Sequence, residues 1–335
     1  MHTVKSLEKK EGSIVEIKVE IASETIEANW DKAVKSIGEH AKLDGFRPGH
    51  VPEKILVEKV GEMVILEEAA QLAIGDVYTK VVIENNLKIL GNPKIVITKI
   101  ARNAPVEVTI QTTVVPEIKL PDYKKIASKA MDKKIDTEVT DKDVDQVFEE
   151  LKNHRKQAEG IENPEIDDEF AKKLGDFKSV DELRAKVKEN LKNEKEYKAR
   201  ETRRIETLEA IRKDSKIDVP EILIENELER MMNEFSHRLG QMGATLEQYR
   251  KDTGKTEEGM KEEWKEKAKE RAESELILLE IARAEKLEPK KEDIEHEAKH
   301  MIEHYPGSPE DRIYGFVEEV LTKEEVFKFL ETQAK

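Results

Sequence analysis

From Ser13 to Ala22 apolar and polar residues alternate one by one. Val15, Ile17, Val19 and Ile21 fall on one side, and Glu16, Lys18 and Glu20 on the other. A period of two predicts a half-buried strand. Beyond it the period changes: Ile26, Trp30, Ala33, Val34 and Ile37 recur at helical spacing, with Ser23 placed as the cap. A short helix is predicted to start at Pro52 and end at Gly61, and a longer one to run over about Met63–Asn85. Two β-like runs follow, at 94–100 and 106–115; in the second, Val106, Val108, Ile110, Thr112 and Val114 share a face. Strands with helices inserted between them predict an α+β domain over 1–115 with an antiparallel sheet.

Residues 116–135 begin with PEIKLPDYKK, carry two prolines and show little periodicity, so they read as an extended linker. From 136 to 335 the pattern is helical. Thr140 with Asp143 forms a capping-box signature before Val144, Val147, Phe148 and Leu151. Gly160 and Pro164 interrupt it. Ser179 with Glu182 opens a long charged helix through about Lys213, and Pro220 and Thr245 open others. A long helix covers roughly 257–286. Ser308-Pro309, and Thr322 with Glu325, are read as opening the last two helices. The expected fold is therefore an α+β N-terminal domain followed by an extended, arm-bearing, all-α helical domain.

Composition supports long solvated helices. Of the 335 residues, 40% are charged and 5% aromatic, too polar for one compact core of that length. The net charge of −15 argues against DNA binding, which needs a basic footprint. It is uneven: residues 1–116 hold 15 Lys/Arg against 17 Asp/Glu, so a basic contact is conceivable only there. With no cysteine, the chain has no disulfides, zinc thiolates or cysteine nucleophile. No apolar run reaches membrane-spanning length, and a cytoplasmic location is expected.

Two motifs invite catalytic readings. His296-Glu297-Ala298-Lys299-His300 is a literal H-E-x-x-H, which on a helix sets two imidazoles one turn apart beside a general base. The flanking charges and the missing downstream glycine and histidine favour an ordinary solvated face, so no metal or other cofactor is expected; a zinc hydrolase is the rival from another class. Thr253-Gly254-Lys255-Thr256 resembles the end of a phosphate loop, but Tyr249 stands where its first glycine belongs. Two apolar stripes, Met231, Met232, Phe235, Leu239 and Met242, and Ile302, Tyr305, Tyr314 and Phe316, are either helix core or adaptable binding surface.

The segment LDGFRPGHVP at 43–52 sets Phe46 and Arg47 among two glycines and two prolines. It reads equally as a tight turn with the Phe tucked in or as a rigid contact tip. Here a family resemblance enters. Gly45-Phe46-Arg47-Pro48-Gly49-His50-Val51-Pro52 resembles the G-F-R-x-G-x-x-P signature of trigger factors, the bacterial ribosome-associated chaperones. KIDVPEILIENELERM at 216–231 looks like part of their C-terminal domain.

The resemblance implies that Gly45, Phe46, Arg47, Pro48 and Gly49 dock on the large ribosomal subunit near the exit tunnel. It also implies that the helices hold nascent and unfolded polypeptides without ATP, the two apolar stripes supplying client contacts. Many family members carry Lys where this chain has Pro48 or His50, which implies a smaller electrostatic share in docking. The prolyl isomerase domain that the family usually inserts is missing near 159–166, so no catalysis is expected. A ribosome-independent holdase or assembly chaperone is the alternative, and a homodimer is left open.

Overall fold

The computed structural model describes residues 2–41, 43, 46–47, 49–160, 162, 164–305, 307 and 309–333. Two compact units emerge, each discontinuous in sequence: residues 1–119 with 216–275, and 120–215 with 276–335. Residues 216–275 thus group with the N-terminal region rather than with the rest of the helical segment.

In the first unit, β1 (His2–Lys10), β2 (Ile14–Ile21), β3 (Ile89–Lys99) and β4 (Val106–Val114) form an antiparallel sheet in the order β1-β2-β4-β3. The alternation read in β2 is the burial pattern observed: Val15, Ile17, Val19 and Ile21 are buried. Register sets Ile17 opposite Ile110 and Val19 opposite Val108, so both central strands turn one apolar face the same way. That face is covered by α4 (Glu62–Glu84), which presents Ile65, Leu66, Ala69, Ala70, Ala73, Ile74, Val77 and Val81. Alanines along the contact let the helix approach the sheet closely. Buried Thr112 is satisfied by the Tyr78 hydroxyl at 2.7 Å.

The stripe read from Ile26 to Ile37 is helical but broken, into α1 (Ser23–Glu27) and α2 (Trp30–His40). Ser23 lies inside α1 and does not cap it; Ala22 occupies that place with no side-chain bond. Buried Asn29 at the break donates to the Thr25 carbonyl at 3.0 Å. After α3 (Glu53–Val60), Gly61 at φ +98° makes the turn into α4. The short pair β5 (Ile118–Lys119) and β6 (Lys216–Ile217), then α9 (Glu221–Gln241), α10 (Leu246–Thr253) and α11 (Glu257–Glu285, to Glu275) complete this unit.

The second unit contains α5 (Tyr123–Met131), α6 (Asp141–Glu159), α7 (Asp168–Leu174), α8 (Val180–Asp214), the remainder of α11, α12 (Lys291–His304) and α13 (Glu310–Glu331). The reading of 116–135 as extended is corrected here. Asp122 accepts a bond from the Lys125 amide and starts a nine-residue helix whose Ala127 is fully buried. Thr140 and Ser179 cap as their spacing predicts, and Thr245 caps the short helix it was read to begin. Thr322 does not open a helix: it sits within continuous α13, its hydroxyl donating to the Glu318 carbonyl at 2.7 Å. Ser308 lies outside the described residues. α6, α7 and α8 close on a small core of Val144, Phe148, Ala171 and Leu183.

Candidate functional site

The loop between α2 and α3 is fastened at both ends. Ser36 donates to Glu68 of α4 at 2.8 Å, and the Trp30 indole donates to Glu53 at the start of α3 at 3.0 Å. Arg102 lies 4.0 Å over the Trp30 ring and pairs with Glu27 and Glu62. Gly38 is buried beneath Leu56, and its carbonyl accepts the Gly49 amide at 2.8 Å, so the loop returns onto the end of α2.

Within the loop the Phe46 amide bonds to the Leu43 carbonyl at 3.1 Å, and the His50 amide to the Arg47 carbonyl at 3.0 Å. Gly49 has φ +81° with open space where a Cβ would sit, so its need for glycine is conformational rather than steric. That left-handed angle at Gly49 and the His50 bond together mark a turn at this point of the loop. Phe46 is 37% exposed, and Arg47 and His50 are exposed. The tucked-in reading of Phe46 is thus not the arrangement seen. Gly45 and Pro48, named with this site from the sequence, lie outside the described residues.

The apolar stripes divide between core and surface. In the first unit Met232 is buried and Met231, Phe235 and Leu239 are half-buried. Phe235 meets Tyr249 and Trp264 edge-on, with ring centroids 4.9 and 5.4 Å away, which ties α9 to α10 and α11. Met242, past the end of α9, is 81% exposed. In the second unit Ile302 and Tyr314 pack on the α12–α13 core of Ala298, Ile313 and Val317, whereas Tyr305 and Phe316 are exposed. Sequence reasoning missed Tyr197 and Ile205 of α8 and Val320 of α13, all exposed. Val320 falls one turn after Phe316, a signal visible in the sequence. Tyr197 and Ile205 stand isolated among charges and give none.

His296, Glu297, Lys299 and His300 lie on the solvated side of α12, while Ala298 between them is buried. His296 Nδ1 is 3.5 Å from Glu297, and both side chains are exposed. Among the described residues no three His, Asp or Glu side chains are gathered to hold a metal ion. Nor is any helix long and apolar enough to cross a membrane. Thr253-Gly254 ends α10, with Gly254 in the left-handed region, and Thr256 accepts the Gly259 amide at 3.0 Å. Gly254 and Thr256 therefore shape a turn and a helix start.

Two family models match the chain. Residues 4–151 match the model described as bacterial trigger factor protein (TF), and residues 179–333 match that for its C-terminus. The unmatched residues between them include the α6–α7 junction. The chain is similar to trigger factors of Bacillus cytotoxicus and Bacillus cereus strain Q1, 26% identical to each over 397 aligned residues. Each alignment covers 91% of this chain and 92% of the relative. Since 91% of the 335 residues, about 305, take part, the 397 aligned positions include about 92 that the chain lacks. A solved structure from work on promiscuous substrate recognition in the folding and assembly activities of the trigger factor chaperone shares the fold. It superposes with a TM-score of 0.57 at 17% identity, covering 98% of this chain and 99% of that one.

Proposed function

The chain belongs to the trigger factor family, and from that premise we propose that it is an ATP-independent, ribosome-associated chaperone that holds nascent or unfolded polypeptides in the cytoplasm. The observation that carries the reading is the loop after α2. Phe46 and Arg47 are exposed side by side on a backbone fixed by the Gly49 to Gly38 bond and the turn to His50. A pre-ordered aromatic and a guanidinium lose little freedom on docking and suit a desolvated contact with rRNA phosphate or a carboxylate. The partner is the large ribosomal subunit beside the exit tunnel, with the left-handed backbone of Gly49 setting the turn to His50.

Client contacts are assigned to the exposed members of the stripes: Met242 in the first unit, and Tyr305 and Phe316 in the second. Isolated apolar side chains within a charged surface favour weak binding of many sequences. Ribosome docking by 1–115 falls within the first compact unit, whereas client holding by 136–335 draws on residues of both. The chain is proposed to have no prolyl isomerase activity, because only residues 160–167 separate α6 from α7.

Co-sedimentation with salt-washed bacterial ribosomes tests the reading. The protein is expected to pellet with ribosomes without added nucleotide, and Phe46→Ala with Arg47→Ala to remain in the supernatant with an unchanged circular dichroism spectrum. Equal pelleting by the double variant would refute the docking assignment.

A further inference from the structure

We propose that α12 carries a two-imidazole site for a divalent transition-metal ion, formed by His300 and His304. The proposal is independent of the family reading. Histidines stand at 296, 300 and 304 of one helix, each about 6 Å along the axis from the next, so two neighbours can chelate one ion but all three cannot. The structure distinguishes the two pairs. The His300 and His304 rings face each other with centroids 4.5 Å apart and planes tilted by 34°.

His304 Nδ1 lies 2.9 Å from the His300 carbonyl oxygen. A carbonyl can only accept, so the proton of neutral His304 sits on Nδ1 and the lone pair is on Nε2. Ligating histidines are commonly oriented by this kind of backbone bond. His296 instead points Nδ1 at Glu297, 3.5 Å away.

His300 also lines an open groove of about 400 Å³ with Glu292, Glu295, His296, Lys299 and Glu303. That groove lies on the His300 side of the pair and His304 is not in its lining; its three carboxylates against one ammonium draw cations towards His300, while water completes the coordination, since among the described residues no third protein ligand is gathered. Imidazole donors select Zn²⁺, Ni²⁺, Co²⁺ or Cu²⁺ over Mg²⁺ and Ca²⁺. Such an ion would cross-link the last turn of α12, where Tyr305 closes the helix onto the Met301 carbonyl. It is a binding site and not a hydrolytic one: Glu297, the base of an H-E-x-x-H enzyme, faces His296.

Titration calorimetry with ZnCl₂ and NiCl₂, in a buffer that does not chelate metals, tests the proposal on the full chain. The wild type is expected to take about one ion, and His300→Ala and His304→Ala each to weaken binding about tenfold or more. His296→Ala is expected to change it less than about threefold, and excess MgCl₂ not to compete. Cu²⁺ electron paramagnetic resonance is expected to show nitrogen hyperfine structure that His304→Ala reduces. No uptake by the wild type overturns the site; unchanged binding by His300→Ala means an ion held elsewhere on the surface and overturns it too. A larger loss in His296→Ala than in His304→Ala overturns the assigned pair. All three side chains belong to one solvated face, and circular dichroism checks that each variant folds.

Discussion

The sheet under α4 and the joint between α8 and α13 are held by different forces. Under α4, Ile17, Ile21, Ile65, Ile74 and Ile110 are fully buried, and apolar burial is the main source of cohesion. At the second joint Arg204 is only 7% exposed. It forks onto both oxygens of Glu324 at 2.9 Å, reaches Glu331 at 2.6 Å, and lies 5.1 Å over the Phe327 ring. Burial works against that guanidinium's charge, but the bonds to Glu324 and Glu331 outweigh it and raise its pKa. The dry core suits a platform for a fixed loop. A polar joint lets helices pack while apolar side chains such as Phe316 and Tyr305 stay outside.

Breaking the dry core is expected to have the largest effect. Ile17→Ala should cost about 2–5 kcal/mol in urea unfolding, because it leaves a cavity between sheet and helix. Arg204→Ala should cost about 1–3 kcal/mol, less than a fully buried pair, because Glu324 and Glu331 retain water. Gly49→Ala should cost about 1–2 kcal/mol locally for its left-handed backbone and weaken ribosome docking more than it lowers the melting temperature. Met242→Ser should shift stability by less than about 0.5 kcal/mol while reducing suppression of client aggregation.

Acid sharpens the same contrast. Arg204 holds the Glu324 carboxyl below its ordinary value of 4.5. Lys195, with Thr140, holds Asp143 at about 2 against 3.8. Both folded-state values are depressed, so their stabilisation is present above the unfolded values and is lost as pH falls through the folded ones. Between about pH 4 and 2, hydrogen exchange should therefore accelerate in α6 and α13 before it does in β2 and β4.

The sequence was most legible where a single period governs. β2 and α4 follow from alternation and helical spacing, and the caps at Thr140, Ser179 and Thr245 from their side chains. β1 was missed because Lys5, Glu8, Lys9 and Lys10 interrupt its alternation, and pairing with β2 makes it a strand. α5 was hidden by the two prolines before it, Pro116 and Pro121, and is stabilised by packing its buried Ala127 within the second unit. The T-x-x-E pattern at Thr322 misled because a Glu-rich helix meets it by chance. In the candidate loop, Phe46 and Arg47 were singled out by motif, and the structure adds that both are exposed. Phe235 could not be assigned to core or surface until α10 and α11 brought Tyr249 and Trp264 against it.

The central claim is that the loop after α2 is the ribosome contact. Titrating fluorescently labelled protein with isolated large and small ribosomal subunits tests it most directly. Saturable binding to the large subunit alone is predicted, weakened about 30-fold or more by Phe46→Ala and lost when Arg47→Ala is added. Equal binding to both subunits, or undiminished binding by the double variant, would contradict it.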